Sequence, residues 1–271
     1  MKQRRILNYV GSKWSLADWI ISHMPSHDIY LEPYFGSGAV FFNKLPSLTE
    51  TINDIDGNVV NLFKIIREQP HELANLIKLT PYAREEYYSA YNNLSQDNSD
   101  LEQARLFLVR CWMARGGKTA HRTGWRHNAD GRTISALPDW HHVPESIVAI
   151  ADRLLNVQIE NMDAITLIQR YNKTNCLIYA DPPYVLSTRT NKHYANEMTL
   201  EEHRQMLLVL KEHDGYVLIS GYEHPLYDEI LQGWRKVNKS VMTDAAISKD
   251  EILYINPKAY EDCQLQLVLE V

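Results

Sequence analysis

Short apolar segments that end in a glycine turn or an acidic residue alternate with amphipathic segments along most of this chain. "DIYLEPYFGSG" predicts a strand that runs into a glycine turn, "AVFFNKL" predicts a helix, and "ETINDID" predicts a second strand that ends in acids. Apolar runs bounded by turn residues are typical of strands, and helices between them are typical of βαβ units. The alternation therefore predicts an α/β fold, in which ligands bind outside the carboxyl ends of the strands.

The alternation is interrupted once, near the middle of the chain. "GNVVNLFKIIREQPHELANLIKL" predicts one amphipathic helix, and apolar residues recur at helical spacing from about Thr80 to Gly116. Residues 117–144 are irregular, basic and aromatic, and Asp130-Gly131 predicts a tight turn among them. The sequence therefore predicts a mainly helical insertion between two parts of a sheet domain.

Regular α/β patterning resumes near Pro144. "ESIVAIADRLLN", "DAITLIQRY" and "LEEHRQMLLVLKEH" predict helices, and "VQIEN", "NCLIYA" and "YVLISGY" predict strands. The final segments "EILYIN" and "CQLQLVLEV" predict terminal strands, paired as a hairpin at the sheet edge. We therefore divide the chain into a sheet domain of residues 1–65 and 144–271 and an inserted domain of residues 66–143.

Composition narrows the class of protein. The 271 residues are 45% hydrophobic, which is enough to bury a sizeable core. No run of about 18 apolar residues predicts a membrane span, and the basic N-terminus lacks the continuous apolar stretch of a signal peptide. The three cysteines, Cys111, Cys176 and Cys263, form no C-x-x-C pair, so we expect neither a disulfide framework nor a zinc site. A reducing cytosol is the expected location.

Charge is distributed unevenly along the chain. The net charge is −6, yet residues 110–132 hold six basic residues against one acid, so this window carries +5 and the remainder carries −11. A concentrated basic patch on an acidic body is typical of a protein that binds a polyanion such as nucleic acid. The alternative is a solvated loop with excess arginine.

The stretch "IYADPPY" at residues 178–184 places an acid, two prolines and an aromatic ring after a strand-like run. The prolines fix the backbone, so the turn is rigid. Asp181 and the carbonyl of Pro182 can both accept from one amino group, and Tyr184 offers a flat face on which a heterocycle can stack. These residues predict a site for the exocyclic amine of a nucleobase. Such an amine becomes a better nucleophile when two acceptors hold its hydrogens.

Further glycines and acids follow the other predicted strands. Gly36 and Gly38 allow close approach of backbone to a ligand, although Val40 and Phe41 occupy the region of the third glycine in a dinucleotide fingerprint, and an ordinary turn is the alternative. Asp54 follows the second strand, where an acid can bind ribose hydroxyls.

Asp56 competes with Asp54 for that role, or caps the next helix. Asp163 ends another predicted strand, so Asp54, Asp163 and Asp181 are expected to face one crevice. With no histidine or cysteine beside these acids, we expect no metal site.

Taken in order, "YVGSK", "EPYFGSG", "INDID", "NMDA" and "DPPY" resemble the motifs of the Dam-like adenine-N6 DNA methyltransferases, and "EILYIN" resembles their closing strand. This resemblance implies a class I methyltransferase fold, a Rossmann-like sheet that uses S-adenosylmethionine as cofactor. It implies a cofactor site formed by Tyr9, Lys13, Phe35, Gly36, Gly38, Asp54, Asp163 and Asp181. It also implies that the catalytic motif is Asp181, Pro182, Pro183 and Tyr184.

The implied reaction is a direct methyl transfer to N6 of an adenine that has left the duplex stack, because the amine cannot otherwise reach the methyl group. The insertion would then bind double-stranded DNA through its basic residues, for which the candidates are Arg115, Lys118, Arg122, Arg126 and Arg132. Trp125 is either a wedge or part of the core. The insertion lacks the hairpin pattern of the GATC-reading members, so the resemblance does not imply GATC as the target sequence.

Two alternatives remain at the level of sequence. One is a methyltransferase-fold module that binds DNA without catalysis, although an intact "DPPY" argues against it. The other keeps the chemistry and changes the substrate to cytosine N4 or to RNA. A bacterial or phage protein in the cytoplasm is expected, with a cognate restriction endonuclease as a further partner if it serves restriction–modification.

Overall fold

The computed structural model describes residues 5–92, 97–117, 122–128, 137–186, 196–242 and 248–269. These residues form one sheet of seven strands in the order β3-β2-β1-β4-β5-β7-β6. The strands are β1 (Ile29–Glu32), β2 (Thr49–Asn53), β3 (Val157–Glu160), β4 (Cys176–Ala180), β5 (Tyr216–Gly221), β6 (Arg235–Met242) and β7 (Ser248–Ile255). The first five are parallel, and β7 runs antiparallel to β5 and β6.

Strand β1 lies at the point where the strand order reverses. It pairs with β2 on one side, Ile29 opposite Thr49, and with β4 on the other, Ile29 opposite Cys176. All five residues of β4 are buried, as expected for a parallel strand covered on both faces. The chain leaves β1 and β4 toward different neighbours, which opens a crevice at the carboxyl ends of these strands.

Helices lie along both faces of the sheet, and one of them precedes the first strand in the sequence. They are α1 (Ala17–Ile21), α2 (Ala39–Asn43), α3 (Gly57–Glu68), α4 (Pro70–Leu79), α5 (Arg84–Asn92), α6 (Asp100–Met113), α7 (Leu137–Ala151), α8 (Ala164–Arg170), α9 (Leu200–Lys211), α10 (Pro225–Ile230) and α11 (Pro257–Leu269). Strands and helices therefore alternate as the sequence predicts, and the mixed α/β class is confirmed.

The prediction of one long helix from Gly57 to Leu79 is wrong. Gln69 has φ −139° and ψ 51°, outside the helical region, and it separates α3 from α4. The cause is Pro70, which has no backbone N–H to continue the ladder and restricts the residue before it. Pro70 instead occupies the first position of α4, where a missing N–H costs nothing.

The prediction of a C-terminal strand over "CQLQLVLEV" is also wrong. Residues Pro257–Leu269 form α11, which begins with a proline after Asn256. The Asn256 Oδ1 accepts from the backbone N of Ala259 at 3.1 Å, so it satisfies one of the free N–H groups at the helix start. "EILYIN" does lie in β7, but its hairpin partner is β6, a polar edge strand that the sequence pattern did not predict.

The helices α3 to α7 pack on the same hydrophobic core as the helices of the sheet domain. One cluster of buried side chains includes Ile6 and Phe41 together with Ile77 and Trp112. The Trp112 indole also donates to the carbonyl of Ile6 at 2.7 Å. Helix α7 runs through the predicted boundary at 143/144 without a break. The division into two domains remains a prediction, and the predicted turn at Asp130-Gly131 lies outside the described residues.

Among the described residues, no helix combines the length and the apolar content that a bilayer crossing requires.

Candidate active site

The loops that follow β1, β2, β3 and β4 converge at the carboxyl edge of the sheet and enclose a cavity of about 430 Å³. A smaller cavity of about 40 Å³ lies beside it, between the segment 9–13 and the loop after β1. Tyr9, Tyr34, Gly36 and Asp181 line both cavities, which makes the two spaces parts of one crevice. The crevice lies at the switch point between β1 and β4, where ligands of such sheets bind.

The loop after β1 brings its backbone close to the larger cavity. Gly36 has φ 49° and lines the cavity, and a Cβ placed there would meet only the Tyr9 ring, at 3.5 Å. Gly38 has φ 65° and is buried, and a Cβ there would lie 2.4 Å from Cζ of Phe35. Gly36 therefore leaves room for a ligand, whereas Gly38 allows the turn itself to pack.

Asp54 follows β2 and supports the loop after β1. Its Oδ2 accepts from the backbone N of Gly36 at 2.8 Å, and its Oδ1 accepts from the backbone N of Asp56 at 2.9 Å. Burial raises the pKa of Asp54 to about 6. The backbone N of Ile55 is a third donor to this carboxylate. A carboxylate has about four acceptor positions, so Asp54 can still accept from a ligand hydroxyl at the cavity wall.

Asn53, which precedes Asp54, joins the ends of three strands. Its Nδ2 donates to the carbonyls of Pro33 and Met162, at 2.9 and 3.1 Å, and its Oδ1 accepts from the backbone N of Met162 at 2.9 Å. Both polar atoms of the side chain are thereby satisfied inside the protein by three hydrogen bonds, and the carboxyl ends of β1, β2 and β3 are held together. Sequence reasoning missed this residue.

Asp56 and Asp163 both cap helices. The Asp56 side chain accepts from the backbone N of Asn58 at 2.9 Å at the start of α3. Asp163 is exposed and its Oδ1 accepts from the backbone N of Thr166 at 2.8 Å at the start of α8, while the residue also lines the larger cavity. Ile55 and Ile165 line the same cavity, so it combines acids with an apolar surface.

Asp181 follows β4 and pairs with a lysine from the start of the chain. Lys13 Nζ lies 3.1 Å from Asp181 Oδ1 and 3.3 Å from Oε1 of Glu251, and it donates to the carbonyl of Gly11 at 2.9 Å. Burial raises the pKa of Asp181 to about 6, against the lowering effect of Lys13. Asp181 lines both cavities, and its side chain is 19% exposed.

Tyr184 lies beside this ion pair. The Lys13 ammonium is 4.7 Å from the centroid of the Tyr184 ring, and the Tyr184 hydroxyl donates to Oε1 of Glu251. The ring of Tyr222, which follows β5, meets the Tyr184 ring edge to face at 4.6 Å between centroids. Glu251 lies in β7, and sequence reasoning missed its place in the site.

Glu32, the last residue of β1, is a further buried acid at the smaller cavity. The hydroxyl of Tyr30 donates to its Oε2 at 2.7 Å. Burial raises the pKa of Glu32 to about 8. This carboxyl group is therefore largely protonated at pH 7 in the folded protein.

The structure brings most of the predicted site residues to this crevice. Pro183 lines the larger cavity, while Pro182 is buried behind it. Gly38 and Tyr184 line neither cavity, although Tyr184 contacts Lys13 at their edge. The remaining predicted cofactor residues line one or both cavities: Tyr9, Lys13, Phe35, Gly36, Asp54, Asp163 and Asp181. Within the described part of the chain, no cluster of three metal-binding side chains occurs.

The basic segment is described in part. Arg115 is exposed, Arg122 is exposed and lies 5.1 Å from the centroid of the Tyr88 ring, and Arg126 is half-buried. Trp125 is half-buried on the hydrophobic core, with the Arg84 guanidinium 4.8 Å from its ring centroid. Lys118 and Arg132 lie outside the described residues.

A parallel sheet closed by an antiparallel strand, with a crevice at the switch point after β1 and β4, defines a Rossmann-like methyltransferase fold. The model of the D12 class N6 adenine-specific DNA methyltransferases matches residues 9–245, and the chain belongs to this family. It is therefore a DNA adenine-N6 methyltransferase.

Three similar proteins have names that are consistent with this family. The DNA adenine methylase of Escherichia coli K12 is 25% identical over 270 residues, covering 93% of this chain and 95% of that protein. The DNA adenine methylase of Serratia marcescens is 22% identical over 283 residues, covering 93% and 99%. The DNA adenine methylase of Haemophilus influenzae is 25% identical over 264 residues, covering 89% and 88%.

Proposed function

We propose that this enzyme transfers a methyl group from S-adenosylmethionine to N6 of an adenine flipped out of duplex DNA, with Asp181 as the catalytic acceptor. The observation that carries the proposal is that Asp181 lines both cavities, directly after β4 and next to a rigid proline pair, with part of its side chain accessible. Membership of the family favours adenine in DNA over cytosine or RNA as substrate.

The larger cavity fits the cofactor in size and in chemistry. Its volume of about 430 Å³ lies within the usual range for small-molecule sites, about 300–1,000 Å³. Asp54 offers carboxylate oxygens to ribose hydroxyls, and Ile55 and Ile165 offer apolar contact to an adenine ring. Asp163, capping α8 at the cavity wall, adds an acceptor near that ring.

The smaller cavity fits the amino acid end of the cofactor. Lys13 supplies a cation for a carboxylate, and Glu32 and Asp181 supply acceptors for an ammonium group. The Gly36 backbone and the Tyr9 ring border both cavities, so a ligand that bridges the two spaces must pass them. When bound, the cofactor supplies an electrophilic methyl group on a sulfonium.

The chain's own contribution to the reaction is to hold and orient the amine. Asp181 and the carbonyl of Pro182 accept its two hydrogens, which favours a nitrogen with a freer lone pair. The Tyr184 ring offers stacking, which offsets part of the cost of about a few kcal/mol for unstacking the base. Positioning of the amine in line with the methyl group then supplies much of the acceleration.

The helices from α4 to α7 and the basic segment between α6 and α7 would bind the duplex. Arg115, Arg122 and Arg126 are the described candidates for phosphate or base contacts, and Lys118 and Arg132 complete the set. An enzyme that acts on bacterial or phage DNA works in the cytoplasm, which we propose as its location. A cognate restriction endonuclease is proposed as a partner only for a role in restriction–modification.

Asp181→Ala and Asp181→Asn test the catalytic proposal. We expect both to lower tritium transfer from labelled cofactor to DNA by at least about 10²-fold, because the amine loses its charged acceptor. Asp250→Asn, an exposed acid in β7, is the matched control and should keep full activity. Mass spectrometry of nucleosides from the wild-type reaction should identify N6-methyladenine. Activity of Asp181→Asn within tenfold of wild type would remove Asp181 from the reaction.

Asp54→Ala tests the proposed cofactor site. Loss of the carboxylate removes the ribose acceptor and the two backbone contacts to Gly36 and Asp56, so the dissociation constant for S-adenosylmethionine should rise about tenfold or more. Calorimetric titration measures this constant directly. Asp56→Ala removes a helix cap at the wall of the same cavity, and a smaller rise in that variant would separate loss of the ribose acceptor from disturbance of the loop. Equal dissociation constants for wild type and Asp54→Ala would assign the ribose to another residue.

A further inference from the structure

Glu251 contacts Lys13 and Tyr184 at the candidate active site, yet the reaction described above does not use it. It lies in β7 one residue beyond the last pair that joins this strand to β5, Gly221 opposite Ile252, so it stands at the carboxyl edge of the sheet. The side chain is only 7% exposed, and one of its oxygens serves both Lys13 and Tyr184. Because burying a carboxylate costs free energy, its two contacts to residues of the candidate active site indicate a role there.

We propose that Glu251 is a positioning residue that draws the Lys13 ammonium away from Asp181 and fixes the ring of Tyr184, leaving Asp181 free to accept from the target amine. The inference rests on the proposed role of Asp181. It concerns the same site but a different residue, one that acts through its neighbours and does not touch the reacting atoms.

The first part of the argument is the sharing of one cation by two carboxylates. Lys13 Nζ is 3.1 Å from Asp181 and 3.3 Å from Glu251, so neither acid holds it alone. A lysine fully engaged with Asp181 would occupy the oxygen that the amine needs and would weaken it as an acceptor. Glu251 provides a second negative charge at the ammonium, which competes with Asp181 for the cation.

The second part is the orientation of Tyr184. A tyrosine hydroxyl hydrogen-bonded to a buried carboxylate cannot rotate freely, and the Lys13 ammonium over the ring adds a cation–π contact at 4.7 Å. Tyr222 meets the same ring from the end of β5. The plane on which the base would stack is therefore set by contacts that converge on Glu251 and Lys13.

Several charged or titratable groups surround Asp181, and they set the direction of the expected pH effect. Lys13 lowers its pKa, while Glu251 raises it. The Tyr184 hydroxyl also hydrogen-bonds to Asp181 and lowers its pKa. Asp181 interacts further with Glu32, Tyr179 and Tyr227. Glu251→Gln removes one negative charge and leaves Lys13 to Asp181, so the pKa of Asp181 should fall in this variant.

Two measurements on Glu251→Gln test the proposal. The first is the pH dependence of kcat, for which we expect a fall of about 10- to 100-fold at pH 7.5 and a shift of the acid limb to lower pH by about one unit. The second is the carbon NMR titration of the Asp181 carboxyl group in the ligand-free protein, assigned by its loss in Asp181→Asn. It should shift in the same direction.

The controls separate positioning from a merely structural role. Asp250→Asn removes the neighbouring carboxylate, which is exposed and bonded to the Ser240 hydroxyl, and should behave as wild type in both measurements. Glu251→Asp keeps the negative charge, so the acid limb of its kcat profile should stay near the wild-type position. If Glu251→Gln fails to fold, an acid limb moved to lower pH in Glu251→Asp would contradict the proposal. Tyr184→Phe removes the hydroxyl alone and should lower kcat without moving the Asp181 titration to lower pH.

A Glu251→Gln enzyme with kcat within twofold of wild type would overturn the proposal. So would a lowered kcat with an unshifted Asp181 titration, because that result would mean general damage. If instead Asp181→Asn keeps its activity, the proposed role of Asp181 fails. The NMR titration still decides whether Glu251 controls the charge at that position.

Discussion

Three carboxyl groups at the carboxyl edge of the sheet, those of Glu32, Asp54 and Asp181, have pKa values raised by burial, to about 8, 6 and 6. Of the nearby cations, only Lys13 forms an ion pair with one of these acids among the described residues. Concentrated buried acids disfavour the ligand-free state as they ionise. They also favour a cationic ligand, and both the sulfonium and the ammonium of the proposed cofactor are cationic.

The free-energy cost of ionising the buried Glu32 carboxyl can be measured as a dependence of stability on pH. Its pKa is raised in the folded protein, so the folded state binds more protons than the unfolded state between about pH 4.5 and 8. The free energy of unfolding should therefore fall across that range, by about 1.4 kcal/mol per pH unit from this group, and level off above it.

Glu32→Gln removes that slope while retaining an acceptor for the Tyr30 hydroxyl. Urea unfolding of both proteins from pH 5 to pH 9 measures the difference. We expect the variant to gain stability relative to wild type as the pH rises to 8. A constant difference between the two proteins over the whole range would mean that Glu32 titrates normally.

Site residues that belong to a local motif could be predicted from the sequence, whereas those that reach the site from a distant part of the chain could not. Asp181 could be predicted because the acid and the prolines adjoin a strongly apolar strand, and strand ends of a parallel sheet meet at one edge. Glu251 could not, because it lies 70 positions after Asp181 and reaches the site through the antiparallel pairing of β7, which no local pattern specifies. Asn53 was missed because the adjacent Asp54 has the more obvious functional chemistry.

At the scale of elements, the C-terminal segment shows how a local signal can mislead. "CQLQLVLEV" alternates polar and apolar residues, which favours a strand. The preceding Asn256-Pro257 is a helix start signal, and in the structure it prevails, because Asn256 is held by the sheet. Its side chain donates to the carbonyl of Gly215 at 2.9 Å and accepts from the backbone N of Val217 at 3.1 Å.

Asn256 is therefore expected to stabilise the fold more than an ordinary helix cap does. Asn256→Ala leaves the buried N–H of Val217 and the carbonyl of Gly215 without their partner, so we expect a loss of about 2–4 kcal/mol. Ser99→Ala removes an exposed cap from α6 and should cost about 1 kcal/mol. Urea unfolding of both variants compares them, and equal losses would mean that Asn256 acts only as a cap.

The segment 122–128 is an element without regular structure that is nevertheless held firmly. The hydroxyl of Tyr87 donates to the carbonyl of Thr123 and that of Tyr82 donates to the carbonyl of Arg126, each at 2.8 Å. The Arg126 backbone N donates to the carbonyl of Met113 at 2.7 Å. Two phenols from the α4–α5 region thus fix a basic segment against the end of α6, which suits a surface that must present side chains in register.

For the whole molecule, the hydrophobic core does not separate the inserted region from the sheet domain, whereas the distribution of charge does. The hydrophobic core joins the region 66–143 to the sheet domain, so the two parts pack as neighbours over a shared interior. Charge separates them, since residues 110–132 carry +5 on a chain whose net charge is −6. The acidic remainder repels DNA on average, so the orientation that presents the basic segment is electrostatically favoured.

This asymmetry makes the salt dependence of DNA binding a test of where the duplex binds. The double variant Lys118→Ala, Arg122→Ala should weaken binding and reduce the slope of log K against log salt by up to about 1.8, because each lost phosphate contact contributes about 0.9. Lys173→Ala with Lys211→Ala removes the same charge from exposed positions before β4 and β5, at the opposite edge of the sheet. It should leave the slope unchanged, since charge far from the duplex releases no counterions. Fluorescence anisotropy with a labelled duplex at several salt concentrations measures all three proteins. An equal slope in wild type and the first double variant would place the duplex on another surface, and an equal loss in both double variants would mean that only net charge matters.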